Sequence, residues 1–188
     1  LEKAKRLGKS TGLVSDTRIT HATPAAFASH VYHRNQENDI AEQLVEDRQV
    51  DVMLSGGLRH FLPQNIAEDK NAQKEVKPIV GDLPMVSVRK DHRNLLMEAL
   101  STGYDVCTNK KCLEKAGDKI LGLFTSSEMP NSIIVDNTRT DPKRTIPTLR
   151  EMTESALDRL NKNPQGIFLM VEGGQIDWAG HKIGRAHV

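Results

Sequence analysis

Three side chains of the kinds that hold metal ions stand near the C-terminus: Glu172, Asp177 and His181 in Val171-Glu-Gly-Gly-Gln-Ile-Asp-Trp-Ala-Gly-His181. Asp177 and His181 are at i and i+4, so on a helix they share one face, where a carboxylate and an imidazole can grip one ion. Glu172 would reach the same crevice from the tip of a strand. By itself an Asp-His pair at this spacing is more often a solvated helix surface; the strand and diglycine before it bring the metal reading level with that one. A second group lies far earlier in the chain, with His21 and Thr23 in Thr20-His-Ala-Thr-Pro-Ala-Ala26, His30 and His33 close by, and Arg34 beyond. Each of those histidines, taken singly, is simplest as a hydrogen-bonded surface or core group, and Arg34 as a solvated charge.

Both groups need elements to position them. Gly166-Ile-Phe-Leu-Met-Val171 is a continuous apolar run of strand length, the pattern of a strand buried on both faces of a parallel sheet. Glu172 then sits beyond the strand's carboxyl end, where open α/β sheets bind their ligands. Gly173-Gly174 allows a sharp turn, and a helix starts at Gln175. Around the earlier group, residues 1–9 read as a helix end closed by Gly8, and Thr11–Ser15 as a short strand. Asp16–Pro24 reads as a polar loop, followed by a helix through Val31 that has Pro24 as its first residue and Thr23 as its cap.

The rest of the chain repeats this grammar. Glu37–Asp47 is an amphipathic helix with Ile40, Ala41, Leu44 and Val45 on one face, and Val50–Leu54 is a strand that exits through Ser55-Gly-Gly57. Residues 58–81 are rich in Lys, Asn, Gln and Glu and read as a surface insertion with no legible chemistry. A helix over Asp91–Leu100, a strand over Gly103–Val106, a helical turn over Leu113–Lys119 and a strand over Ile120–Phe124 follow. Residues 126–144 are a second polar excursion, and Pro147–Leu160 is the clearest helix, with Leu149, Met152, Ala156, Leu157 and Leu160 along one face. Helices alternating with short apolar strands predict an α/β fold, with a mostly parallel central sheet and helices on both faces.

Composition narrows the function classes. A chain of 188 residues is of single-domain size and can bury roughly two-thirds of its unfolded surface. Lys and Arg total 26 against 25 Asp and Glu, a net charge of +1 with no basic stripe, which argues against nucleic acid or an anionic membrane as the main partner. Nothing runs long enough without charge to span a bilayer. The first residues read as the middle of a helix, with no initiator Met and no signal-peptide apolar region. Cys107 and Cys112 are close enough for a local disulfide in an oxidising compartment, and free thiols fit the spacing equally well.

Taken together, the two groups resemble the alkaline phosphatase family, the two-zinc, one-magnesium phosphomonoesterases, and its bacterial members most closely. Val171–His181 is similar to the family's metal motif, and Thr20–Ala26 with Arg34 to its magnesium and phosphate segment; Asp51–Gly57, Leu149–Thr153 and Ala156–Asp158 add to the likeness. The resemblance implies that Thr23 and Glu172 bind magnesium and that Asp177 and His181 bind the first zinc. It implies that Arg34 clamps two phosphate oxygens, that His21 stands beside the magnesium, and that Trp178 stands near the bound phosphate. The implied reaction is hydrolysis of small phosphate monoesters through a phosphoserine intermediate, in a periplasmic or secreted homodimer. Other hydrolases of the superfamily share the zinc chemistry but not Thr23, Glu172 and Arg34 together. A noncatalytic metal-binding domain is the alternative of a different class.

The resemblance also implies residues that these 188 do not include. No Asp-Ser-Ala segment for the nucleophile occurs in the sequence. That serine and the aspartate bridging zinc and magnesium are expected N-terminal to residue 1. The Asp-His pair of the second zinc and a further histidine of the first are expected C-terminal to residue 181. On this reading residues 1–182 are part of a larger domain and the stretch alone is inactive. Ile183-Gly-Arg-Ala-His-Val188 departs from the family pattern and matches a reading frame of a common sequencing adapter. Residues 183–188 are therefore expected to be a non-native tail, and His187 is excluded as a ligand.

Overall fold

Five strands, all parallel, form the sheet of the computed structural model, which describes residues 1–138, 141 and 143–183. They are β1 (Ser10–Arg18), β2 (Val52–Gly56), β3 (Asp105–Cys107), β4 (Ile120–Leu123) and β5 (Ile167–Glu172), in the order β3-β4-β2-β1-β5. The chain moves outward from β1 through β2, then crosses back to place β5 on β1's other side. That reversal of direction beside β1 is where an open α/β sheet leaves a crevice beyond its strand ends.

Alternation along the strands sends side chains to two layers. On one side Leu13, Met53, Leu121 and Leu123 are fully buried against α3 (Glu37–Glu46) and α5 (Leu95–Ser101). On the other side Val14, Val52, Leu54 and Ile120 meet Met152, Ala156 and Leu160 of α8 (Leu149–Leu160). The helices therefore cover both faces, as the alternating pattern predicted. Gly12 lets α8 approach: a Cβ there would lie 2.7 Å from a Leu160 methyl carbon. Thr148 caps α8 in a reciprocal box with Glu151, which puts Pro147 just outside the helix.

Several boundaries differ from those read off the sequence. Residues 58–81 are part of the core, because Leu58, Phe61, Leu62 and Ile66 are fully buried and α4 (Lys70–Val80) lays Val76 and Val80 into the same layer. A narrow i, i+4 apolar stripe on an otherwise charged helix is what made this segment look like surface. The segment 126–144 contains α7 (Ser132–Asn137), and the helical turn near residue 113 is α6 (Lys110–Lys115). β3 begins at Asp105, and α5 begins at Leu95, where the Asn94 side chain caps it. β5 is an edge strand paired only with β1 among the described residues, and its side chains are half-buried, with Val171 43% exposed. Its apolar run reflects strand propensity and one covered face rather than burial on both.

Cys107 and Cys112 form a disulfide across the β3–α6 junction, with Cα atoms 5.4 Å apart. No helix among the described residues is long and apolar enough to cross a membrane. The expected tail at 183–188 lies outside the described residues except for Ile183, the last residue of α9 (Gly174–Ile183).

Candidate metal and phosphate site

β1 is longer than the sequence suggested. It continues to Arg18, and its register with β2 shifts between Val14 and Arg18. The residues expected to begin a polar loop are thus still strand, and Ser15 and Thr17 are fully buried. Both serve Glu172. Ser15 on β1 is the direct register partner of Glu172 on β5, and the Ser15 hydroxyl donates to Glu172 Oε2 at 2.6 Å. The Thr17 hydroxyl approaches the same oxygen at 3.3 Å and the Ser15 hydroxyl at 2.7 Å. Glu172 is therefore aimed by two buried hydroxyls on Oε2, and Oε1 accepts no hydrogen bond among the described residues.

The diglycine does different work from that expected. Neither Gly173 nor Gly174 has positive φ; of the two diglycines only the earlier one needs it, at Gly57 with φ +103°. Gly174 is required by crowding instead. A Cβ there would lie 2.5 Å from Thr17 Cγ2 and 3.2 Å from the Glu172 carboxylate.

Beyond Gly174, α9 carries Asp177 and His181. Their side chains meet, with His181 Nε2 3.4 Å from Asp177 Oδ1, and both are largely exposed. The i, i+4 pairing on one helical face is as expected. Asp16 anchors the start of α9 by accepting from the Gln175 N–H at 3.2 Å. Burial raises the Asp16 carboxyl above its usual range, against the opposing effect of the Gln175 and Gly174 N–H groups.

The second group is assembled at the far end of β1. α2 is short, Ala22–Ala28, with His21 at its N-cap position; Thr23, itself exposed, lies inside its first turn and caps nothing. Pro24 is the third helical residue, where its missing N–H costs no helix bond. Arg34 stands in the following turn, and its guanidinium meets His21 Nε2 at 3.2 Å. Because a guanidinium only donates, Nε2 must accept, and the neutral ring then carries its proton on Nδ1. That Nδ1 is buried with no partner among the described residues. The His21 ring also packs T-shaped against Trp178 from α9, with centroids 5.5 Å apart and planes at 85°. Burial, then the charges of Arg18 and Arg34, push the imidazole below its ordinary pKa and keep it neutral.

His21 thus joins Arg34 to Trp178, which brings the two sequence groups together beyond the carboxyl ends of β1 and β5. Glu172 is near enough to act on His21 electrostatically. The Thr23 side chain makes no hydrogen bond among the described residues. Nor do three or more His, Cys, Asp or Glu side chains there stand close enough to hold an ion, so Glu172 is separate from the Asp177–His181 pair. The donor types fit the two metals: an oriented carboxylate with an unpaired oxygen and a hydroxyl for magnesium, a carboxylate and an imidazole for zinc.

Beside these residues lies a partly buried polar network that sequence reasoning missed. Arg18 grips Glu37 with Nε to Oε2 at 2.8 Å and a terminal nitrogen to Oε1 at 2.9 Å. Thr20 donates to the same carboxylate at 2.6 Å, and His60 Nε2 lies 3.3 Å from it. Burial pushes the His60 imidazole down to about 4 despite the Glu37 charge. The only sequence signal for these residues is their polar type beside strand and helix ends.

The sequence matches the family model described as alkaline phosphatase over residues 1–187. The chain belongs to the alkaline phosphatase family. It is 38% identical over 187 residues to alkaline phosphatase 3 of Bacillus subtilis (strain 168), covering 96% of this chain and 33% of that protein. It is also 38% identical over 200 residues to the repressible alkaline phosphatase of Saccharomyces cerevisiae, covering 97% of this chain and 32% of the yeast protein. The crystal structure of Thermus thermophilus alkaline phosphatase superposes with a TM-score of 0.73 at 33% identity, over 96% of this chain and 32% of that one. The chain therefore spans about a third of the length of these alkaline phosphatases and shares the corresponding part of their fold.

Proposed function

We propose that the full-length protein hydrolyses small phosphate monoesters at the crevice beyond β1 and β5. The observation that supports this reading is His21 in contact with both Arg34 and Trp178, which brings together segments far apart in sequence. In this reading Thr23 and Glu172 hold a magnesium ion, and Asp177 and His181 supply part of the shell of one of two zinc ions. When bound, these ions supply Lewis acidity toward phosphate oxygens and lower the pKa of coordinated water.

The chain's own residues do the rest. The planar Arg34 guanidinium takes two phosphate oxygens and offsets charge as it develops there. His21, neutral and without a proton on Nε2, supports Arg34 without repelling it. Ser15 and Thr17 fix the Glu172 carboxylate, and Gly174 leaves it room. A serine outside these 188 residues attacks phosphorus, displaces the ester's alcohol and forms the phosphoserine intermediate, which water then cleaves to free phosphate, so this stretch alone turns nothing over. The remaining metal ligands also come from outside it. A periplasmic or secreted homodimer is the setting we propose, in keeping with the Cys107–Cys112 disulfide.

The test is a hydrolysis assay of the full-length protein on p-nitrophenyl phosphate and bis(p-nitrophenyl) phosphate, with and without chelator. Chelator-sensitive release from the monoester in preference to the diester is expected. Preference for the diester, or activity indifferent to chelation, overturns the reading.

A further inference from the structure

We infer that Asp16 and Gln175 form a clasp that positions α9, and with it the Asp177–His181 pair, against the end of the sheet. This rests on the proposed reading of that pair as zinc ligands. Gln175 is the second residue of α9 and is tied at three points. Its N–H donates to Asp16 Oδ1 at 3.2 Å, and its side-chain amide donates to the Asp16 carbonyl at 3.2 Å and to the Met129 carbonyl at 3.0 Å. The Met129 N–H returns a bond to the same Asp16 carbonyl at 3.2 Å. Three segments meet here: the end of β1, the loop after β4 and the first turn of α9. The Asp16 carboxylate satisfies a first-turn N–H that has no partner within the helix and places negative charge at its positive end.

Position matters because the ligands lie along a lever. α9 rises about 1.5 Å per residue, so His181 is about 9 Å beyond Gln175, and a tilt of about 10° at the clasp moves it by about 1.5 Å. Metal–ligand distances tolerate only about 0.2 Å. Asp177 and His181 are largely exposed and touch only each other among the hydrogen-bonded and ion-paired groups described. The geometry at the first turn is therefore what sets where they point. Asp16 and Gln175 are positioning residues, acting through α9 and not on substrate.

The experiment compares zinc release to a chelator from the full-length protein and its Gln175→Met, Asp16→Ala, Asp16→Asn and His181→Ala variants, with thermal melting as a control for folding. Gln175→Met preserves bulk and removes the side-chain donors while keeping the N–H bond to Asp16; it and Asp16→Ala should lose zinc about 10- to 100-fold faster than the parent while still melting cooperatively. Asp16→Asn keeps the Oδ1 acceptor and the carbonyl, and should stay within about threefold of the parent. Zinc release from Gln175→Met at the parental rate, while His181→Ala loses its zinc, overturns the clasp and leaves the zinc reading standing. Retention of zinc by His181→Ala overturns the zinc reading and the clasp with it.

Discussion

Arg18 and Glu37 meet fork to fork behind the crevice, with side chains only 14% and 16% exposed. The pair joins the end of β1 to the first residue of α3, directly after the turn that carries Arg34. Glu37 also accepts from Thr20 and lies beside His60. Its removal leaves a mostly covered guanidinium with only the longer 3.4 Å contact to the half-exposed Glu128. Glu37→Ala should therefore destabilise the protein by about 3–5 kcal/mol, measured by urea unfolding. A loss below about 1 kcal/mol would mean that the pair is solvated and structurally idle.

Stability should fall with acidification before the carboxylates titrate. The His60 pKa is pushed down to about 4 by burial, so between the unfolded value near 6.5 and about 4 the unfolded chain takes up a proton that the folded one refuses. The stability is complete above pH 6.5 and is lost as pH falls to about 4, on the order of 3 kcal/mol in all. His21, also shifted down, adds in the same direction. Glu37, held below its ordinary value chiefly by Arg18 and Thr20 against burial, adds its loss at lower pH. Urea unfolding between pH 7 and 5 checks this, and His60→Gln should flatten the slope. A parent protein with no slope there contradicts it.

Gly174→Ala should cost about 1–3 kcal/mol, because the new methyl overlaps Thr17 Cγ2 and presses on Glu172. Activity should fall with it, since Glu172 must move. Gly180, on the same helix, has nothing within 4 Å of an added Cβ, so Gly180→Ala should be neutral or stabilising by up to about 1 kcal/mol. Equal effects at the two positions, by thermal unfolding, would show that helix propensity and not crowding decides.

Arg34→Ala in the full-length protein should raise KM and weaken inhibition by inorganic phosphate about tenfold or more, through loss of a charged two-point contact. Arg34→Lys should not restore it, because a point charge cannot present the fork. An unchanged phosphate inhibition constant in Arg34→Ala removes Arg34 from the site.

The sequence by itself determined the α/β class, the faces of α3 and α8, and the i, i+4 pairing of Asp177 with His181. These are local properties: Ile40, Ala41, Leu44 and Val45 share a face wherever a helix forms, and Asp177 and His181 meet because they are one turn apart. The tertiary structure alone decided that β5 lies at an edge, that residues 58–81 enter the core, and that Ser15, Thr17 and Asp16 aim Glu172 and α9. Those outcomes depend on which strand lies beside which. Ser15 reaches Glu172, and Arg18 reaches Glu37, only once the strand order has been set by packing of the whole chain. A buried polar group is satisfied by whatever partner the fold brings to it, and no periodicity in the sequence names that partner.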